Sequence, residues 1–125
     1  MNPKDLLEYA CKAQKNAKAQ YSDFPVGAAI LCENNEIILG CNIESKAYPS
    51  TMCAERVAIY SAISQGITKF KAIAIVSNIG AKPCGPCRQI IHEYLYDIPI
   101  YTSDGKNLEN YEEHKISALL PHAFG

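Results

Sequence analysis

Long apolar runs are missing from this chain of 125 residues; stretches such as AIAIV at 72–76 fall far short of the roughly 20 residues that span a bilayer. An apolar leader is missing as well, since Met1 opens a polar, lysine-dotted amphipathic segment, and the chain reads as soluble and cytoplasmic, with no membrane partner. No Asn-x-Ser/Thr sequon occurs. The six cysteines therefore read better as reduced thiols or thiolate ligands than as the three disulfides of a secreted scaffold. Charge of one sign is also lacking: twelve basic residues against thirteen acidic ones leave a net charge of -1, too little to draw in nucleic acid or an anionic surface. Internal repeats and low-complexity linkers are absent. With 48% hydrophobic residues, the expectation is a single domain over residues 1–125 with one core.

What is present reads as alternating strands and helices. Asn2 and Pro3 can cap and start a helix, and Leu6, Leu7, Ala10, Ala13 and Ala17 recur at helical spacing, which predicts a helix over about residues 3–19. The runs VGAAILCE and EIILGCNI, joined at Asn34 and Asn35, predict an antiparallel hairpin. MCAERVAIYSAISQG predicts a second helix with Met52, Ile59, Ala62 and Ile63 on one side and Gly66 as its stop. FKAIAIVS, CGPCRQIIHEYL and IPIYTS then read as strand, helix and strand, and SDGKN as a turn. Two parallel crossovers after a hairpin imply an α/β fold, a three-layer α/β/α sandwich around a mixed sheet of about five strands.

The chemistry concentrates at two predicted helix starts. Cys84 and Cys87, around Gly85 and Pro86, could be a redox dithiol or half of a metal clip. Cys53 supplies a third thiolate at the start of the second helix, and helix N-termini favour the ionised sulfur. Three thiolates on a tetrahedral zinc leave one open position for water, whose pKa falls from about 16 to roughly 7. Glu55, two residues after Cys53, is the candidate acid/base. The chain has two arginines, Arg56 and Arg88, each close behind a cysteine, where a guanidinium could hydrogen-bond the sulfurs and offset their negative charge. A structural zinc would need a fourth ligand, and His92, His114, His122, Cys11, Cys32 and Cys41 are candidates by type, though none has paired spacing with Cys53. Cys11, Cys32 and Cys41 read more simply as small core residues.

CAER at 53–56 with PCGPCRQ at 83–89 resembles the zinc-dependent cytidine deaminases, and YSDFPVGAAI at 21–30, GCNIE at 40–44 and LLPHAFG at 119–125 are similar to further landmarks of that family, in order across nearly the whole chain. The resemblance implies one Zn²⁺ per subunit on Cys53, Cys84 and Cys87, with Glu55 as proton shuttle. It implies that Asn42 and Glu44 bind ribose hydroxyls, that Phe24 packs on the pyrimidine, and that the Ala54 amide orients the base. It further implies that Phe124 and Tyr48 reach a neighbouring subunit's site, so that the chain works as a homotetramer with shared active sites. The implied reaction is hydrolytic deamination of cytidine and deoxycytidine to uridine and deoxyuridine in pyrimidine salvage. Zinc-bound hydroxide attacks C4, Glu55 protonates N3 and then the leaving amine, and ammonia departs. Ser45 and Lys46 depart from the Asn-Ala that family members often carry there. Rival readings are a deaminase of aminonucleoside antibiotics, a deaminase of cytosine in nucleic acid, whose first ligand is usually histidine, and a non-catalytic zinc protein. Arg56 and the triplet Asn42-Ile43-Glu44 favour the nucleoside enzyme.

Overall fold

The computed structural model describes residues 1–124; Gly125, the last residue of LLPHAFG, lies outside the described residues. Five strands form one mixed sheet: β1 (Val26–Cys32), β2 (Ile37–Cys41), β3 (Phe70–Ser77), β4 (Ile100–Ser103) and β5 (Glu112–His114), in the spatial order β2-β1-β3-β4-β5. β1 pairs antiparallel with both β2 and β3, β3 runs parallel to β4, and β5 returns antiparallel. The predicted hairpin is present, and Asn35 turns it with a left-handed φ of 70°. β5 and the short helix α4 (Ile116–Leu119) have no counterpart in the sequence reading, because neither segment is long enough to carry a period.

Side-chain alternation along the two central strands builds the three layers. Ala29 and Leu31 of β1, with Ala72, Ala74 and Val76 of β3, pack on one face against Leu6, Leu7 and Ala10 of α1 (Pro3–Gln14). Ala28, Ile30, Ile73 and Ile75 face the other way, onto Ala58, Ile59 and Ala62 of α2 (Ala54–Ser64) and Ile91 and Leu95 beyond α3 (Gly85–Ile90). Helices on both faces explain why these strands read as nearly continuous apolar runs. Gly40 lets α2 settle closely: a Cβ there would run into Ala54 O and lie 2.5 Å from Ala58 N, so the helix backbone lies directly on β2.

Three helix predictions are corrected. The first helix ends at Gln14 rather than near residue 19. Lys18 N–H donates to Asn42 O at 3.0 Å and Lys18 O accepts from Glu44 N–H at 2.9 Å, so a tertiary bridge captures the chain where periodicity alone would continue the helix. In the second helix, Met52 lies before the first turn, bridged to Ile43, and Ile63 is exposed; the buried positions are Ala54, Glu55, Ala58, Ile59 and Ala62. Gly66 does end it, with φ of 83°. The third helix changes to a single π turn over Ile91–Leu95 and stops at Tyr96, which takes a φ of 61°.

The register gathers the start of β1, the end of β2 and the end of β3 at one end of the sheet, through the pairs Val26 with Ser77 and Gly27 with Cys41.

Candidate active site

At that end of the sheet a cavity of about 240 Å³ is lined by Phe24, Asn42, Glu44, Cys53, Ala54, Glu55 and Cys84, among others. Two helix starts contribute the sulfurs. Cys53 takes extended backbone angles (φ -73°, ψ 152°) as the residue before α2, and Cys84 does the same (φ -69°, ψ 170°) before α3, while Cys87 sits in the first turn of α3. Pro86 fits that turn because its missing N–H would have no helical acceptor there. The sulfurs of Cys53, Cys84 and Cys87 lie within 4.8 Å of one another, and those of Cys53 and Cys84 are 3.6 Å apart. Thiolates on a tetrahedral zinc, with bonds of about 2.3 Å, are separated by about 3.8 Å, so the donor set fits that ion. Among the described residues this is the one such cluster, and it holds no fourth protein ligand. All six cysteines are free thiols.

Electrostatics divide labour within the cluster. Cys53 is held down to about 5, first by a hydrogen bond from the Cys87 thiol and then, against burial, by Arg56 and Cys84. Cys87 is pushed the opposite way by donating to Cys53, by burial and by the nearby Glu55 charge. Arg56 Nη2 donates to Cys53 Sγ at 3.3 Å. Glu55 is buried, only 5% exposed, and burial, with the Cys53 charge as a smaller cause, lifts its carboxyl to about 7. A carboxyl with that pKa can both take and give a proton near neutrality.

The opposite wall is fastened to the sheet. Asn42 Oδ1 accepts from Val26 N–H at 2.8 Å and Asn42 Nδ2 donates to Phe24 O at 2.9 Å, so the side-chain amide pins the approach to β1 and leaves one N–H and one lone pair free. Glu44 Oε1 accepts from the backbone amides of Tyr21 and Ser22 at 2.9 and 3.0 Å, and its Oε2 accepts from the Ser22 hydroxyl. Those bonds, the Ser22 hydroxyl first, hold the Glu44 carboxyl below its ordinary value.

The family model for the cytidine and deoxycytidylate deaminase zinc-binding region matches residues 1–101. The chain belongs to this deaminase family. Similar curated relatives include a cytidine deaminase of Sporosarcina psychrophila, 43% identical and covering 99% of this chain and 92% of the relative. Another, from Halalkalibacterium halodurans, is 39% identical over 99% of this chain and 95% of the relative. The crystal structure of a cytidine deaminase from Burkholderia pseudomallei superposes with a TM-score of 0.92 at 34% identity, covering 99% of this chain and all of the other. The three-layer fold around a mixed five-stranded sheet is thus the fold of these deaminases.

Three residues named from sequence lie elsewhere than at the deaminase cavity of their own chain. Tyr48, 83% exposed, borders a neighbouring recess that shares Ser22, Glu44 and Thr51 with the cavity. Phe124, 88% exposed, lies beside His92, Glu93 and Tyr96. The expectation that Arg88 would bond a sulfur is corrected: its guanidinium donates to Pro83 O at 2.7 Å and to Leu119 O at 2.8 Å. The carbonyl of Pro83, in the loop before α3, and that of Leu119, at the C-terminal end of α4, take its donors. Sequence reasoning passed over Ser22 and Thr51. Ser22 stands inside YSDFPVGAAI and also caps Phe24 N–H at 3.1 Å, while Thr51 Oγ1 accepts from Ser45 N–H at 3.0 Å and so orders the departing Ser45–Lys46 loop. A small hydroxyl after a tyrosine carries no spacing signal; only the meeting with Glu44 gives it a task.

Among the described residues no helix is long and apolar enough to cross a membrane.

Proposed function

We propose that this chain hydrolyses cytidine and deoxycytidine to uridine and deoxyuridine with release of ammonia, as a cytoplasmic homotetramer of one-domain subunits serving pyrimidine salvage. The observation that carries the reading is the buried Glu55, poised at about 7, beside three convergent sulfurs that lack a fourth protein ligand. Zinc on Cys53, Cys84 and Cys87 would acidify water and so make a nucleophile available at neutral pH.

Everything else falls to the chain's own groups. Glu55 takes a proton from the water that adds to C4 and delivers it to N3. It then carries the second proton to the exocyclic amine, the C4–N bond breaks, and ammonia leaves. The Ala54 amide, in the first turn of α2, orients the base, and Phe24 packs on its face. Glu44, a carboxylate held in place by its bonds to Tyr21 and Ser22, keeps lone pairs for a ribose hydroxyl, and Asn42 offers its remaining N–H. Arg56 offsets the thiolate charge through Cys53. The exposure of Tyr48 and Phe124 supports roles in a neighbouring subunit's site, and a tetramer is their most economical cover.

Ultraviolet-monitored deamination of cytidine, deoxycytidine, CMP and a short cytosine-containing oligonucleotide tests the reading, with light scattering for subunit number. Both nucleosides should turn over and the other two should not, and Glu55→Gln should abolish turnover with zinc retained. Turnover of the oligonucleotide alone, or zinc without any turnover, would sink it.

A further inference from the structure

The two residues after Cys87 turn away from the sulfurs and grip the C-terminal segment. Arg88 Nε donates to Pro83 O at 2.7 Å and Arg88 Nη1 to Leu119 O at 2.8 Å, while Gln89 Nε2 donates to Phe124 O at 2.8 Å. Pro83 is fully buried and immediately precedes Cys84, the exposed member of the sulfur cluster. Leu119 ends α4, where carbonyls run out of helical donors. One planar guanidinium therefore serves a carbonyl at the start of α3 and another at the end of α4. Few other side-chain bonds hold the loop that leads to Cys84: Ser77 Oγ accepts from Ala81 N–H at 2.8 Å, and Arg88 is the next anchor along the chain.

We propose that Arg88 is a positioning residue for the metal centre. It sets the Pro83–Cys84 peptide against the end of α4, so that the placement of the Cys84 sulfur and the seat of residues 119–124 are coupled through one side chain. Lysine cannot replace it fully, because an ammonium is a point donor that reaches one of the two carbonyls, whereas the guanidinium fork reaches both. The metal half of this proposal rests on the zinc reading above; the coupling of the two segments does not.

The test compares wild type with Arg88→Met, Arg88→Lys and Gln89→Ala. Three readouts are zinc affinity by chelator competition, the absorption bands of the cobalt-substituted protein, and amide hydrogen exchange. Arg88→Met should weaken zinc binding about 10- to 100-fold, the range for losing a partner behind a metal ligand. It should also shift the cobalt bands and speed exchange in 82–87 and 116–124 together. Arg88→Lys should recover part of the affinity. Gln89→Ala should free the last few residues and leave zinc affinity and the cobalt bands unchanged. Wild-type affinity and bands in Arg88→Met overturn the proposal, as does an equal loss of zinc in Gln89→Ala. If Arg88→Met fails to fold, Arg88→Lys decides, and wild-type affinity and bands in that variant overturn it. A wild type that takes up no zinc would overturn the functional reading alone. Exchange then decides the coupling, and deprotection of only one of the two segments defeats it.

Discussion

Arg56 reaches back one turn along α2 and donates from Nη2 to the sulfur of Cys53 at 3.3 Å. Its Nε is buried and unpartnered, so the Nη2 bond carries the contact. Three thiolates would leave a zinc centre with net negative charge, which weakens its power to acidify water, and this guanidinium offsets part of it. Arg56→Gln should lower kcat about 10- to 100-fold and weaken zinc binding, with KM for cytidine changed little. Steady-state kinetics beside metal analysis checks this; unchanged kcat would remove the charge argument.

Glu55 places a functional carboxyl at a cost to the fold. Its pKa rises from 4.5 in the unfolded chain to about 7 when buried, so the folded state holds the extra proton between those values. Stability therefore falls as pH climbs from 4.5 to 7, by about 3 kcal/mol at most in the metal-free protein, and stays lowered above that. Glu55→Gln should melt several degrees higher than wild type in alkaline buffer and nearly level with it in acid. Calorimetry of the metal-free pair across pH measures it, and a constant difference at all pH values would contradict the burial of the charge.

Gly40 is a structural site with a catalytic consequence. A methyl at residue 40 meets Ala54 O and Ala58 N, which are backbone atoms that cannot swing aside, so α2 must lift and carry Cys53 and Glu55 with it. Gly40→Ala should destabilise by about 1–3 kcal/mol and weaken zinc binding. Gly66→Ala is the comparison: it meets no atom within 4 Å but has φ of 83°, and should cost about 1 kcal/mol with zinc affinity intact. Equal zinc loss in the two variants would mean that α2 is not seated through residue 40.

The Ser22 hydroxyl is the largest cause of the lowered pKa of Glu44. The hydroxyl and two amides hold the carboxyl below 4.5, so the bonded carboxylate form is present above that pH and is lost as pH falls through the depressed value. Removing the hydroxyl in Ser22→Ala raises that value. The rise of KM for cytidine in acid should then begin at a higher pH than in wild type, with kcat at neutral pH little altered. Superimposable KM profiles for the two proteins would show that Glu44 is not titrating against ribose.

Much of this protein is legible locally. The hairpin follows from alternating runs around Asn34 and Asn35, and the stop of α2 from a glycine free to adopt positive φ. The Cys-x-x-Cys and Cys-x-Glu-Arg spacings belong to single helix starts, whose geometry three or four residues suffice to set. The family resemblance adds the partners of those motifs. Tertiary structure decided what local spacing cannot carry. Cys53 meets Cys84 across 31 residues because sheet order brings two helix starts to one end. The first helix stops at Gln14 because Lys18 bonds to Asn42 and Glu44, and that bridge brings Ser22 to its carboxylate. Asn42 spends much of its amide accepting from Val26 N–H and donating to Phe24 O, and Arg88 donates to two carbonyls instead of a sulfur, since these half-buried backbone groups need partners that only the folded chain brings within reach.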